Sequence, residues 1–345
     1  MSEVRKQLRS EQLRGFDPNG LAMGEGAFGL PFTEASAEVV LLPVPWEVTV
    51  SYASGTANGP AAIREASRQV DLMDPLVPRS WEMGLWMAPE DQVLRATSDA
   101  LRLEAEAHIS DLEHGRVDSA RLARINQACE DMVTTVRDRA VEVLTRGQKM
   151  ILVGGDHSTP LGYIQALAAR APLGVLHIDA HMDLREAYEG FVYSHASVMW
   201  HALQLDAVTD LVQVGIRDYA QCELEEVAAQ NDRVKVFFDR DLKHAQYRGT
   251  PWAEQVAEIV AALPQRVYVS WDIDGLDPRY CPNTGTPVAG GLVPEEVFFL
   301  LEHVKASGRD LVGMDLNEVA PGSEGDWDAN VAARILYRMA VLLGS

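Results

Sequence analysis

Seven short apolar runs, each followed by a helix-like segment, constrain this chain more than any other feature. The runs are Val39–Val44, Lys149–Val153, Gly174–Ile178, Leu211–Ile216, Val234–Phe238, Arg266–Trp271 and Leu311–Leu316. Helical periodicity is clearest at 118–146, 159–170, 220–230, 252–263, 294–307 and 328–343. In the first of these, Leu122, Ile125, Cys129, Met132, Val136, Ala140 and Val143 recur at spacings of three and four, which draws one apolar stripe along a helix. Asp118 suits its N-cap and Gly147 its stop. Strands alternating with helices read as a parallel sheet covered on both faces. The expectation is one α/β domain over residues 37–345, three-layered α/β/α, with a central, mostly parallel sheet. Residues 1–36 are polar and Gly-rich and read as an N-terminal arm lying over the surface or a neighbouring subunit. In open sheets of this kind, ligands bind beyond the carboxyl ends of the strands.

A chain of 345 residues with 47% hydrophobic content has ample material for a large core. Its formal charge of −21 argues against nucleic acid or an anionic membrane as partner, since both need a basic surface. The acidity leaves open a cationic substrate, but it also serves solubility. Cys129, Cys222 and Cys281 form no C-x-x-C pair, so neither a disulfide framework nor a thiolate zinc site is expected. No secretory signal or membrane-length apolar run is visible, and a cytoplasmic location is the default expectation.

Every chemically loaded motif follows a β-run. After Lys149–Val153 comes GGDHS, with His157; after Gly174–Ile178 comes DAHMD, with Asp179, His181 and Asp183; after Arg266–Trp271 comes DIDGLDP, with Asp272 and Asp274. Residues two apart in extended backbone point to one face, so each set is aimed together. Four carboxylates and two histidines then converge, and carboxylates crowd together only if cations offset them. Oxygen-rich ligation with a minority of imidazole suits manganese, although nickel, cobalt or zinc accept similar ligands. Two adjacent ions sharing carboxylates hold a hydroxide between them at neutral pH. A lone Asp-x-Asp is ordinarily a turn or a helix cap; three such elements in one chain are not.

GGDHS, DAHMD and SWDIDGLDP together resemble the signatures of the ureohydrolases, the arginase, agmatinase, guanidinobutyrase and formimidoylglutamase family, from about Val39 to the C-terminus. The resemblance implies an arginase-like fold, two manganese ions per subunit, a small guanidino substrate and a homo-trimer or homo-hexamer. It implies that His157, Asp179, Asp183 and Asp272 hold one ion. Asp179, His181, Asp272 and Asp274 would hold the other, with Asp179 and Asp272 bridging. It also puts Glu318, in MDLNEVAP, where a carboxylate grips the guanidinium, and His195, in YSHAS, where a histidine shuttles a proton to the leaving amine. A planar cation wants a carboxylate in a fixed fork, and histidine titrates near neutrality. Thr286 falls near the metal end of the pocket. The early stretch 45–67 resembles the family's first loop after a strand, with Pro60 opening a helix.

Substrate choice is expected between Asp183 and His195. Arg185 stands there in place of the arginase-type asparagine, and an arginine at the pocket rim attracts a substrate carboxylate. Glu186 and Glu189 follow closely enough to neutralise it. Leu184–Arg185 is similar to formimidoylglutamase, whereas the YSHAS histidine is similar to agmatinase. A guanidino acid such as 4-guanidinobutyrate satisfies both clues, and agmatine remains open. The implied reaction is hydrolytic: hydroxide attacks the guanidinium carbon, Asp274 or His195 passes the proton to the departing amine, and urea leaves. The alternatives are a formimidoylglutamase-type hydrolase and a catalytically silent metal-binding homologue. Trp327 either closes over the pocket or anchors the last helix.

Overall fold

The computed structural model describes every residue except Met1, Ser2, Met23, Glu25 and Glu324. Eight strands form one parallel sheet: β1 (Val39–Val44), β2 (Leu85–Met87), β3 (Lys149–Gly154), β4 (Leu173–Ile178), β5 (Val208–Ile216), β6 (Val234–Phe238), β7 (Arg266–Asp272) and β8 (Asp310–Asn317). Their order is β2-β1-β3-β8-β7-β4-β5-β6. The helices are α1 (Glu3–Gln12), α2 (Gly59–Ala66), α3 (Gln92–Glu113), α4 (Ser119–Thr145), α5 (Leu161–Ala168), α6 (Val198–Leu203), α7 (Gln221–Ala229), α8 (Asp239–Tyr247), α9 (Trp252–Ala261), α10 (Pro294–Ala306) and α11 (Trp327–Gly344).

Successive strand residues point to opposite faces, and the core divides accordingly. Val39, Leu41, Ile151, Val153, Leu176 and Ile178 join the inner faces of α2, α9, α10 and α11. Val40, Leu42, Met150, Leu152 and Val175 join those of α4, α5 and α6. The result is the expected three-layer α/β/α arrangement. The stripe expected on α4 is buried from Ile125 to Val143, with Leu122 half-buried. Asp118 caps that helix by accepting from Ala120 N at 3.1 Å and Arg121 N at 3.0 Å. Gly147 stops it at φ +67°.

The periodicity reading passed over β2, α1, α3, α6 and α8. The 22-residue α3 packs Leu94, Leu101, Ala105 and Ile109 against the core, but Ser98, Arg102 and His108 are buried among them while Val93 and Leu103 face outward, so polar residues interrupt its apolar stripe. The N-terminal segment packs on this same chain: Arg5 Nη2 donates to Arg146 O at 2.7 Å. Phe28, Leu30 and Phe32 enter the core. Among the described residues, no helix is long and apolar enough to cross a membrane.

Candidate metal centre and active site

Four neighbouring strands, β3, β8, β7 and β4, end at one point. Beyond them lie His157, Glu318, the pair Asp272 and Asp274, and the run Asp179–Asp183. The turn after β3 approaches the turn after β1 closely: a Cβ at Gly155 would stand 1.9 Å from Trp46 O, so only glycine fits there.

The donors fall into two adjoining groups. His157 Nδ1 lies 3.0 Å from Asp179 Oδ2, 3.2 Å from Asp183 Oδ2 and 3.2 Å from Asp272 Oδ2. His181 Nδ1 lies 3.1 Å from Asp274 Oδ2 and 3.4 Å from Asp179 Oδ1. Asp179 therefore presents one oxygen to each group. The clusters His157–His177–Asp179–Asp183 and Asp179–His181–Asp274 each bring their donor atoms within 4.8 Å of one another. His177 is the one member that the sequence reading left out. Its Nε2 is 2.8 Å from Asp179 Oδ2 and its Nδ1 is 2.9 Å from Gln213 Nε2. It lies two residues before Asp179, on the same alternation as His181, and that spacing was the available signal.

Crowding shows in the ionisation. Burial, then the charges of Asp274 and Asp179, hold Asp272 well above the usual carboxylate range. Burial and Asp179 push Asp183 up to about 6. For His157, burial opposes the charged form, yet hydrogen bonds to the carboxylates of Asp179, Asp183 and Asp272 outweigh it and hold the pKa well above the ordinary value. His181 behaves alike: burial opposes the charge, and Asp274 and Asp179 overcome it. Burial also opposes ionisation of Asp179, but His177, His157 and His181 draw its pKa well below the usual range. Buried carboxylates partnered by imidazoles in this way make a donor set that fits divalent cations.

A pocket of about 230 Å³ opens over this cluster. His157, His181, Asp183 and Asp272 line it together with Arg185, Tyr188, His195, Asp218, Tyr219, Glu223, Thr286 and Glu318. Glu318 is buried and holds φ +62°. A left-handed non-glycine residue costs about 1–3 kcal/mol, which tertiary bonds offset here. Its N–H donates to Gly155 O at 2.8 Å, its carbonyl accepts from Thr284 Oγ1 at 2.7 Å, and its Oε1 accepts from His157 N at 2.8 Å. Its Oε2 lies 3.3 Å from where a Cβ at Gly285 would stand. Burial and the nearby Asp156 charge raise its pKa well above the carboxylate range. Thr286 Oγ1 donates to Asp274 Oδ2 at 3.3 Å.

His195 lies in the pocket wall. Its N–H donates to Thr49 Oγ1 at 3.2 Å, and its Nδ1 lies 3.5 Å from the same oxygen. Burial, then the positive charges of His181 and His157, push its pKa down to about 3. It is therefore neutral at physiological pH, which differs from the near-neutral titration expected of an unperturbed histidine.

Arg185 reaches the rim. Its guanidinium lies 4.6 Å from the centre of the Tyr188 ring, and Nε is 3.9 Å from Glu223 Oε2. Among the described residues, the carboxylate within ion-pair reach is thus Glu223, from α7, rather than Glu186 or Glu189. Glu223 also accepts from Leu184 N at 3.1 Å and Ala220 N at 2.8 Å, which ties the loop after β4 to that after β5. Asp218, Tyr219 and Glu223 were not singled out from sequence, because no motif marks the loop after β5. Trp327 does not line the pocket; its Nε1 donates to Arg279 O at 2.9 Å, at the start of α11.

A parallel sheet with a buried aspartate–histidine cluster at its carboxyl edge fits a metal-dependent α/β enzyme. The family model for the Arginase family matches residues 37–341, and the chain belongs to that family. It is 34% identical over 316 residues to N(1)-aminopropylagmatine ureohydrolase of Thermus thermophilus, covering 91% of this chain and 92% of the relative. To the agmatinase of Proteus mirabilis it is 29% identical, covering 93% of each. The agmatine ureohydrolase of Thermoplasma volcanium superposes with a TM-score of 0.68 at 24% identity, covering 97% of each chain, and this likeness bears on fold alone. The protein is an agmatinase-like ureohydrolase, an enzyme of the hydrolase class.

Proposed function

We propose that this enzyme hydrolyses the guanidinium group of a small molecule whose far end is also cationic, agmatine or an amine-extended agmatine, releasing urea and an amine. The observation that carries the guanidinium half is Glu318, a buried carboxylate at the pocket wall beside the metal cluster. Its Oε1 is steadied by the His157 N–H, and a planar cation restores the charge balance that burial and Asp156 disturb. The cationic tail is supported by Asp218 and Glu223 at the rim, where Arg185 is already stacked on Tyr188 and faces Glu223. The two relatives named for agmatine-type substrates favour the same choice.

His157, Asp179, Asp183 and Asp272 are assigned to one manganese ion, and Asp179, His181, Asp272 and Asp274 to the second. Those ions would supply Lewis acidity and the means of ionising water near neutral pH. Glu318 orients the guanidinium, which turns a bimolecular attack into a positioned one. Asp274 or His195 carries the proton that the departing amine requires as the C–N bond breaks. His195 is kept neutral, and with Nδ1 directed toward Thr49, Nε2 is the atom that takes up and returns the proton. The same reading includes a homo-trimer or homo-hexamer, which sedimentation analysis checks.

A second reading, a guanidino acid such as 4-guanidinobutyrate, is favoured by the partial exposure of Arg185 at the rim. Urea release by manganese-loaded protein separates the two. The expected result is a kcat/KM for agmatine or N(1)-aminopropylagmatine that exceeds that for 4-guanidinobutyrate and arginine. Preference for the acid would reverse the assignment of the rim.

A further inference from the structure

Arg217, the residue after β5, touches neither the cluster's donor atoms nor the pocket, yet it is bonded to the backbone on both sides of one half of the cluster. Its N–H donates to Ala180 O at 2.8 Å, and Ala180 separates Asp179 from His181. Its guanidinium Nη2 donates to Asp274 O at 2.6 Å, Leu276 O at 3.1 Å and Val288 O at 2.9 Å. Nη1 donates to Gly215 O at 3.2 Å and Gly275 O at 3.3 Å, and Nε to Val288 O at 3.2 Å. The acceptors are the turn that bears Asp274, the segment that bears Thr286, and the end of β5. Thr286 in turn donates to Asp274 Oδ2, and Ala180 N donates to Asp274 Oδ1 at 3.1 Å.

We infer that Arg217 is a positioning residue for the half of the cluster formed by His181, Asp274 and the Oδ1 side of Asp179, and so sets the affinity of the second ion alone. The inference rests on the reading that the cluster holds two ions. A guanidinium has five donors in a rigid plane, and that shape matches carbonyls arriving from several directions as an ammonium does not. The half around His157 is built differently. His157 Nε2 bonds Ser270 Oγ at 2.8 Å, and Asp183 O receives Met199 N and Trp200 N at 3.1 Å. Among the described residues, no hydrogen bond joins Arg217 to His157 or Asp183. Removing the fork frees the Asp274 turn while leaving the His157 side in place.

The test is a titration of metal-free wild type, Arg217→Ala and Arg217→Lys with Mn²⁺, with bound ions counted by equilibrium dialysis. Wild type is expected to bind two ions. Arg217→Ala is expected to keep the first affinity and to lose roughly 10–100-fold on the second, the usual effect of an outer-shell partner. Arg217→Lys, which preserves the aliphatic stem, is expected to show the same selective loss, smaller in size, with an unchanged melting temperature in the metal-free state; it serves if the alanine variant fails to fold. Pairing locates the effect: Arg217→Ala is expected to weaken the remaining ion in an Asp183→Ala background and to leave it unchanged in a His181→Ala background. Retention of both affinities, joint loss of both ions with the fold, or the reverse pattern in the paired variants would overturn the inference. A wild-type chain that binds a single ion would instead remove the two-ion reading beneath it.

Discussion

The backbone N–H of His157 donates to Glu318 Oε1 at 2.8 Å, so the proposed guanidinium partner and a histidine of the metal cluster are fixed to each other. One consequence is geometric. A substrate held by Glu318 lies beside the cluster without further adjustment, provided Gly285 keeps the Oε2 side open.

Glu318→Gln preserves the shape and removes the charge. Loss of a charged hydrogen-bond partner costs about 1.5–3 kcal/mol, so kcat/KM for urea release is expected to fall by roughly 10–100-fold. Metal content by elemental analysis is expected to remain at the wild-type level. Loss of metal along with activity would assign Glu318 to the cluster instead.

His195→Ala is expected to lower kcat by about 10²–10⁴-fold, the usual contribution of a positioned acid–base group, with both metals retained. Metal loss in this variant would contradict the assignment.

The ionisation of His195 is itself measurable. Its folded pKa of about 3 lies below the unfolded value of 6.5. The unfolded chain therefore takes up this proton first, and the stability linked to His195 is present above pH 6.5 and is lost as pH falls toward 3. Nitrogen-15 chemical shifts are expected to show a neutral ring at pH 5. A cationic ring at that pH would refute the burial argument.

Arg185→Ala tests the rim. With Asp218 and Glu223 left unopposed, kcat/KM for agmatine is expected to hold or rise, and that for 4-guanidinobutyrate to fall, by about 3–10-fold as suits a partly exposed charge. An unchanged ratio between the two substrates would remove Arg185 from substrate choice.

Gly155→Ala places a methyl group 1.9 Å from Trp46 O, against backbone that has little room to yield. The expected loss is about 1–3 kcal/mol or more, read as a lowered melting temperature together with weaker metal binding at His157. Unaltered melting would mean that the two turns can separate.

Much of the architecture was legible because strand and helix residues repeat with different periods. The stripe from Ile125 to Val143 and the seven apolar runs mark elements that the structure contains. Apart from His177, which lies inside β4, the aspartates and histidines of the cluster were legible because they follow β-runs, most of them at spacings of two. Strand β2 was hidden because three residues are too few to show a period, and helix α3 because polar residues interrupt its stripe. Helix α3 turns Arg102 and His108 inward, where Arg102 Nη1 donates to Val48 O at 3.3 Å and His108 Nε2 meets Glu189 O at 2.9 Å. Such a face looks solvent-exposed in sequence. Glu223 and Arg217 were hidden for a related reason: most of their partners are backbone groups, and backbone leaves no trace in residue identity.

Urea release from agmatine by manganese-loaded protein tests the central claim most directly. The account expects urea and the diamine in equal amounts, with activity abolished in Asp272→Ala. Two bound ions per chain with no urea from agmatine, its aminopropyl derivative or any guanidino acid would contradict it.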